Sequence, residues 1–297
     1  MESVGAIDSA EVLWETRNTT TAMEVGDVIE SVSLEGTNVR FSLPFDPKPG
    51  NALIAVKDAH GTILWSWHIW VVDFDPVETQ QKYISGAVMM DRNLGALTVI
   101  PSPSTVDNYE AYGLYYQWGR KDPFTQPNAA LAPVGAITGV TQDVSSIEYT
   151  VSNPTVIYDN AFWGYDSTLW GVNKTKYDPC PNGWRVPDVN VWDGISNDDF
   201  PRTTSYRIIP EPYSIPQACY PLSGGLVAGE GQWNTEYNEH GWWWTTSRGD
   251  RLDMHWSDYV NISYEYHIHY RFSVRCMKDD PNKDGSNEGY TGSDYEW

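Results

Sequence analysis

Apolar and polar positions alternate along the first seventy residues, and this period of two predicts a series of β-strands. The predicted strands are residues 11–16, 28–34, 38–43, 51–56 and 62–72. Residues 58–61 supply a turn between the last two strands, because Gly61 can adopt a positive φ. Several strands separated by turns within so short a stretch predict a small β-sandwich.

The alternation also assigns side chains to the faces of the last of these strands. Leu64, Ser66, His68 and Trp70 are predicted to face one way. Trp65, Trp67, Ile69 and Val71 are predicted to face the other.

The periodicity stops after residue 72, where Pro76 marks a short linker. The following region contains short predicted strands at 87–91, 241–246, 252–256 and 272–277. A short helix is predicted at 187–195, with Asp188 as its N-cap. The last residues are rich in Gly, Ser, Asn and Asp and predict a disordered acidic tail. We therefore predict a partial β-sandwich at 1–75, a larger mostly β domain at 76–279 and a tail at 280–297.

The charge balance restricts the partners of the chain. Its 19 basic and 40 acidic residues give a formal net charge of −21. Such a surface repels nucleic acid and anionic membranes, and no cluster of basic residues overcomes that repulsion. No apolar run is long enough to span a bilayer. We expect neither a nucleic-acid partner nor a membrane-spanning segment.

The sequence leaves open whether its many aromatic side chains are exposed or buried, and which of its cysteines are paired. Fifteen Trp and nineteen Tyr against seven Phe favour half-exposed aromatic sites or, alternatively, ordinary buried packing. The run at 242–244 is three Trp residues on a predicted strand, where the outer two share a face. The three cysteines allow one disulfide and one spare thiol, and the sequence alone does not decide the pairing.

Several ordered runs of aromatics, Gly and Pro carry a family resemblance. They lie at 89–96, 113–124, 177–187, 241–247 and 272–278. Their order and chemistry resemble the Fibrobacter succinogenes major paralogous domain, which is found in fimbrillin-like surface proteins. The resemblance covers roughly residues 11–278. It implies an α+β, mostly β fold in which the partial sandwich is followed by a C-type-lectin-like, loop-rich domain.

The resemblance has further implications for the cysteines and for the start of the chain. It implies a bridge between Cys180 and Cys276, with Cys219 as a small buried residue. In the family, further strands and a lipoprotein-type signal precede the equivalent of residues 22–70. The first sandwich is therefore expected to lack an edge strand, which a neighbouring subunit could supply. The alternative is a start point without structural meaning.

Two loop-like segments, 229–239 and 257–266, mix amide, carboxylate and aromatic side chains. That mixture is what recognition of a neutral polyol needs, although polar loops with packing aromatics look alike. The predicted ligand-binding residues are Trp233, Asn234, Glu236, Tyr237, Trp243, Asp258, Tyr259, Asn261 and Tyr264.

Other motifs are weaker. The run from Asp280 resembles a calcium loop but has Thr291 where an acidic ligand belongs, so the sequence predicts no cofactor, with a calcium ion as the alternative. The calcium tripeptides of sugar-binding lectins are also absent. Residues 248–250 spell Arg-Gly-Asp, which an ordinary turn explains. His267 and His269 lack an identifiable third metal ligand.

The expected function is a bacterial cell-surface or pilus-associated adhesion protein, extracellular and not an enzyme. Its ligand would be a host or microbial glycan or a surface protein, bound through loops of the second domain. Other pilus subunits could associate through the first sandwich. The alternative is a structural pilus subunit without a ligand. A third reading, an oxidoreductase like the formylglycine-generating enzymes, is disfavoured because the sequence lacks their closely spaced cysteine pair.

Overall fold

The computed structural model describes most of the chain, with gaps. The described residues are 6–17, 23, 26–100, 109–125, 135–142, 146–159, 168–195, 201, 205–225, 238–256, 260–263 and 268–280. Within these ranges the protein is mostly β, as predicted. The predicted tail lies outside them except for Asp280. No helix of the described part is long and apolar enough to cross a membrane.

The first region is built from five strands, close to the predicted positions. Their bounds are β1 Ser9–Thr16, β2 Ser31–Glu35, β3 Asn38–Ser42, β4 Gly50–Lys57 and β5 Ile63–Val71. Strands β1, β4 and β5 form an antiparallel sheet in the order β1-β4-β5, and β2 pairs with β3 as a hairpin. The predicted turn at 58–61 is confirmed, with Gly61 at φ 80°.

A β-bulge in β1 decides which side chains face which core. The register shifts between Val12 and Trp14, so Leu13 is the extra residue. The inserted residue reverses the faces of the side chains that follow it. Trp14 therefore points into the hydrophobic cluster that also contains Trp118 and Phe272, which we call the large core, and Glu15 points to the opposite side of the sheet. There the buried Glu15 carboxylate accepts the N–H of Ile29 at 2.8 Å. Periodicity alone does not reveal this inserted residue.

The alternation in β5 is confirmed with one exception. Trp70 packs against the large core, whereas Trp67 and Val71 pack against the aliphatic core on the other face. Trp65 was predicted on the side of Trp67, but it packs against the large core. Trp65 pairs with Val56 at the end of the regular ladder between β4 and β5, and the register shifts directly after this pair.

The second region contains two five-stranded sheets. One has the order β11-β19-β7-β6-β13, with β6 Gln81–Tyr83, β7 Val88–Met89, β11 Trp184–Arg185, β13 Ser214–Ile215 and β19 Met277–Lys278. The other has the order β17-β16-β15-β18-β8, with β8 Tyr115–Gln117, β15 His240–Trp244, β16 Arg251–His255, β17 Val260–Ser263 and β18 Arg271–Ser273.

Smaller elements complete the second region. They are the pairs β9 Gly139–Thr141 with β10 Val156–Tyr158 and β12 Tyr206–Ile209 with β14 Ala218–Pro221, and the helices α1 Tyr109–Tyr112 and α2 Ile147–Ser152. The predicted helix at 187–195 is a single 3₁₀ turn, Val189–Trp192. Asp188 is the N-cap residue of this turn, as predicted. Its side chain makes no capping hydrogen bond, because its carboxylate accepts from Arg185.

The predicted strand at 272–277 is wrong as one element. The chain forms β18 and β19, which belong to different five-stranded sheets. Between them the Val274 carbonyl accepts the N–H of Leu94 at 2.8 Å, and the Cys276 carbonyl accepts the N–H of Met90 at 2.9 Å. These hydrogen bonds to residues 89–96 hold the segment that connects β18 in one sheet with β19 in the other.

The disulfide is present between Cys180 and Cys276, whose Cα atoms lie 5.9 Å apart across 96 residues of sequence. Cys219 is buried and unbridged, and burial raises the pKa of its thiol to about 12. A disulfide is compatible with an extracellular location. The bridge joins two of the runs that carry the family resemblance.

The two regions share one hydrophobic core. Trp14 and Leu53 of the first sheet pack in the same cluster as Leu114, Trp118 and Phe272 of the second region. The other face of the first sheet packs with the hairpin around an aliphatic core, which contains Val28, Ile29, Ala52, Ile54 and Ile69. The predicted domain boundary at residue 75 and the lectin-like assignment stay predictions.

Candidate functional site

A group of aromatic rings lies at one end of the sheet formed by β15, β16 and β17. His240 of β15 pairs directly with His255 of β16, and their ring centroids are 4.5 Å apart. Trp242 stacks beneath His240, with centroids 4.9 Å apart and an interplanar angle of 17°. His240 and His255 are half-buried, so part of each ring faces solvent. We call His240, Trp242, His255, Trp256 and Asn261 the ring-end site.

A buried ion pair supports the rings. On β16, Arg251 Nη2 donates to Asp253 Oδ2 at 3.0 Å. The same guanidinium lies over the Trp242 ring at 4.9 Å from its centroid. His240 Nδ1 is 3.6 Å from Asp253 Oδ1. Because these side chains are fixed by charge and packing, the exposed parts of the rings are held in place.

Two exposed side chains border the rings. Asn261 pairs with Asp253 in the register of β17 against β16, so the two side chains share a face of the sheet. Trp256 directly follows β16 and is 44% exposed. Its main chain is held at both ends, since its N–H donates to the Glu239 carbonyl at 2.9 Å and its carbonyl accepts Arg207 Nη1 at 3.2 Å.

The chemistry of the ring-end site is that of a platform with polar edges. An exposed indole offers a flat apolar face on which the apolar side of a sugar ring can lie. The Asn261 amide supplies a donor and an acceptor, and imidazole nitrogens supply further hydrogen-bonding positions. Within the described ranges, no group of three or more His, Cys, Asp and Glu side chains is arranged to hold a metal ion.

One predicted ligand-binding residue is misplaced. Trp243 is fully buried in a separate hydrophobic cluster that also contains Tyr220 and Leu252. Its Nε1 donates to Asn93 Oδ1 at 2.8 Å, and its ring meets Tyr220 edge-on at 4.9 Å. The neighbouring Trp242 and Trp244 are also buried. Trp243 therefore stabilises the interior and presents no surface to a ligand.

Asn261 is the predicted residue that the structure places at the ring-end site. The other predicted residues, Trp233, Asn234, Glu236, Tyr237, Asp258, Tyr259 and Tyr264, lie outside the described residues. Glu239, just before β15, and Trp256, just after β16, are joined by a backbone hydrogen bond at the end of the sheet that carries the ring-end site. Ser263, which precedes Tyr264, instead pairs with Arg251 at the other end of the sheet.

His240, His255 and Trp256 were not predicted as site residues. The two histidines are fifteen positions apart, and only the pairing of β15 with β16 brings their rings together. A local signal for Trp256 exists, because it is a large aromatic that ends a predicted strand beside a polar loop.

The weaker motifs have simple outcomes. Arg248, Gly249 and Asp250 form part of the turn between β15 and β16, where Asp250 N donates to the Ser247 carbonyl. His267 and the calcium-like run beyond Asp280 lie outside the described residues.

Comparison of the chain with known protein families, with curated proteins and with solved structures found no match. The resemblance to the fimbrillin-like family therefore rests only on the runs of aromatics, Gly and Pro described in the sequence analysis.

Proposed function

We propose that this protein is an exported surface adhesion protein, of the cell surface or a pilus, that binds a glycan at the ring-end site. The observation that carries the proposal is the exposed Trp256 ring, whose centroid lies 6.0 Å from that of His255 in the half-buried His240–His255 pair. Flat rings combined with amide and imidazole groups suit the alternating apolar faces and hydroxyl edges of sugars.

Three further properties support an exported binding protein. The Cys180–Cys276 bridge suits an oxidising compartment. The net charge of −21 favours solubility and disfavours nucleic acid and anionic lipid as partners. The resemblance of the sequence runs to the fimbrillin-like family agrees with a role at the cell surface. Binding rather than catalysis is proposed, because one cysteine pair is bridged and the remaining thiol is buried with its pKa raised.

A glycan array with the full chain, run with calcium and with chelator, tests the proposal. We expect binding to a related set of neutral glycans. Trp256→Ala and Asn261→Ala should each weaken that binding by about tenfold, since the loss of one stacking or bidentate contact costs about 1–1.5 kcal/mol. Tyr149→Ala is the matched control, because Tyr149 is an exposed aromatic on α2, outside the ring-end site.

Two results of the glycan array would contradict the proposal, and each would have a different meaning. Glycan binding that survives both site variants would move the site elsewhere on the molecule. No binding in either condition, by a chain whose near-ultraviolet circular dichroism shows native packing, would contradict glycan recognition. That result would favour a structural pilus subunit.

A further inference from the structure

Phe45, in the loop between β3 and β4, is the most exposed large apolar side chain of the described ranges, with an exposure of 104%. Leu43 and Phe41, at the alternate positions before it, are 39% and 37% exposed. Phe45 therefore packs against nothing in its own molecule. A run of exposed apolar side chains of this kind marks a surface that contacts another molecule.

The loop that carries Phe45 is held at both ends. The Ser42 carbonyl accepts the N–H of Glu30 at 2.9 Å, and the Pro49 carbonyl accepts Arg17 Nε at 2.8 Å. Three prolines restrict φ within the loop, namely Pro44, Pro47 and Pro49. A loop that is ordered before binding loses little conformational entropy when a partner buries its side chain.

A cavity of about 570 Å³ opens in the second region, where β7, β11 and β19 meet. Val88 of β7, Val191 of the 3₁₀ turn and Met277 of β19 form an apolar strip in its lining. None of the lining residues belongs to the ring-end site or to the first region. The volume is within the range of pockets that bury a ligand.

The charged groups of the lining favour a neutral occupant. Arg185 donates to both carboxylate oxygens of Asp188, at 2.9 and 2.6 Å, and its Nε lies 3.6 Å from Asp279 Oδ1. The two basic and two acidic side chains of the lining leave no excess of either sign. An ion would lose its hydration there without gaining an unpaired counter-charge, whereas an apolar side chain can be buried on the strip.

We propose that this cavity receives the Phe45 side chain of a second copy of this protein. In the contact, Asp46, which follows Phe45, lies beside Lys278, which follows Met277. The Lys278 ammonium has three donors, one of which lies 3.4 Å from Gln80 Oε1, so it can also bind a carboxylate. The contact uses side chains and no strand edge, and it does not depend on the glycan site.

The contact joins two different surfaces, so it can be repeated. When the Phe45 loop of one copy enters the cavity of the next, the other loop and the other cavity stay available, and short head-to-tail chains form. The net charge of −21 opposes the approach of two copies. At about 0.15 M salt the Debye length is about 8 Å, so this repulsion is largely screened and neighbouring charges such as Asp46 and Lys278 still attract.

Sedimentation velocity of the full chain at about 0.15 M salt, at concentrations up to about 0.3 mM, tests the proposal. The parent protein should form dimers and longer chains as its concentration rises. Phe45→Ala should weaken the association about tenfold or more, because the aromatic anchor of the contact is lost. Val172→Ala changes another exposed apolar residue, outside both surfaces, and should leave the association unchanged.

A mixing experiment distinguishes this contact from a symmetric one. Val88→Trp fills the cavity from a half-buried position, and near-ultraviolet circular dichroism shows whether the variant is folded. Neither Phe45→Ala nor Val88→Trp should associate alone. Their mixture should form a one-to-one dimer, because the open cavity of the first receives the intact Phe45 of the second.

Charge reversal checks the predicted neighbours. Asp46→Lys and Lys278→Glu should each weaken the association by about twofold to fivefold, and the double variant should recover it, since the pair is restored with its signs exchanged. A parent protein that stays monomeric, association that survives Phe45→Ala, or a mixture of the two folded single variants that does not pair would overturn the proposal.

Discussion

The two regions of this protein are stabilised in different ways. The first region has strands of eight and nine residues around an aliphatic core. Most strands of the second region have two to five residues, and buried arginines lie among its aromatic side chains. The long strands of the first region satisfy their backbone groups by pairing, whereas short strands leave groups that side chains must satisfy. The second region therefore depends on specific polar contacts.

Asn93 shows how such contacts hold the second region together. Its Oδ1 accepts Trp243 Nε1 at 2.8 Å and Arg275 Nε at 3.3 Å, and its Nδ2 donates to the Tyr112 carbonyl at 3.0 Å. Arg275 also donates to the Cys219 carbonyl at 2.7 Å. One amide thus connects segments that are up to 182 residues apart in sequence.

Polar contacts also join the two regions. Lys121 Nζ donates to the Ser66 carbonyl at 2.9 Å and to Asp122 Oδ1 at 2.7 Å. His68 binds Asn51 Oδ1 through Nε2 at 2.9 Å, and the Asn51 amide donates to the Gly95 carbonyl. The comparison therefore predicts that disruptions of the second region and of this boundary have larger effects than changes on the surface of the first.

The largest effect is expected from removal of the disulfide. The double variant Cys180→Ser, Cys276→Ser should lower the free energy of unfolding by about 4–5 kcal/mol, because it frees a loop of roughly a hundred residues in the unfolded chain. Urea unfolding measures the loss. Cys219→Ala is the control, and it should cost far less because it opens no loop.

Thiol labelling checks the same assignment independently. The native protein should show no reactive thiol, and the denatured, unreduced protein should show one, from Cys219. Three reactive thiols in the denatured, unreduced protein would contradict the bridge.

The next effect concerns a buried ion pair. Asp188→Ala should destabilise the protein by about 3–5 kcal/mol, because it leaves the buried Arg185 without its bidentate partner. Glu35→Ala removes one partner of an exposed pair with Arg40, in the first region, and should cost at most about 1 kcal/mol. Chemical denaturation of both variants gives the comparison. Similar losses in the two variants would contradict the proposed difference between the regions.

The smallest effect is a dependence on pH at the boundary. Burial lowers the pKa of His68 to about 3, whereas an unfolded histidine titrates near 6.5. Below about pH 6.5 the unfolded chain binds a proton that the folded protein does not, so stability falls as the pH drops from about 6.5 toward 3. Since part of His68 stays accessible, we expect a slope of about 0.5–1 kcal/mol per pH unit.

Unfolding measured between about pH 7 and pH 5 tests this slope. His68→Gln removes the titrating group and should flatten the dependence. His60→Gln changes an exposed histidine in the turn at 58–61 and should leave the dependence as it is. Identical slopes in the parent protein and in His68→Gln would exclude His68 as the cause.

Local signals in the sequence predicted much of the first region. The strands appear within a few residues of their predicted positions, because alternation over eight residues is a strong pattern. The bulge at Leu13 was missed because Val12, Leu13 and Trp14 are three consecutive apolar residues, and such a run does not show which residue is inserted. In the second region the predicted strands at 87–91, 241–246 and 252–256 correspond to β7, β15 and β16. The other short strands of that region were not predicted, nor was the division of residues 272–277 between two sheets.

What the sequence determined by itself is local: the mostly β composition, the alternation of the long strands, the acidic charge and the cysteines available for bridging. The tertiary structure alone decided that Trp243 is buried while Trp256 is exposed, that His240 meets His255, and that a cavity opens beside Asp279. Strand register and sheet order bring together residues that are distant in sequence. Both are set by packing and hydrogen bonding across the whole fold, which no local pattern of residues records.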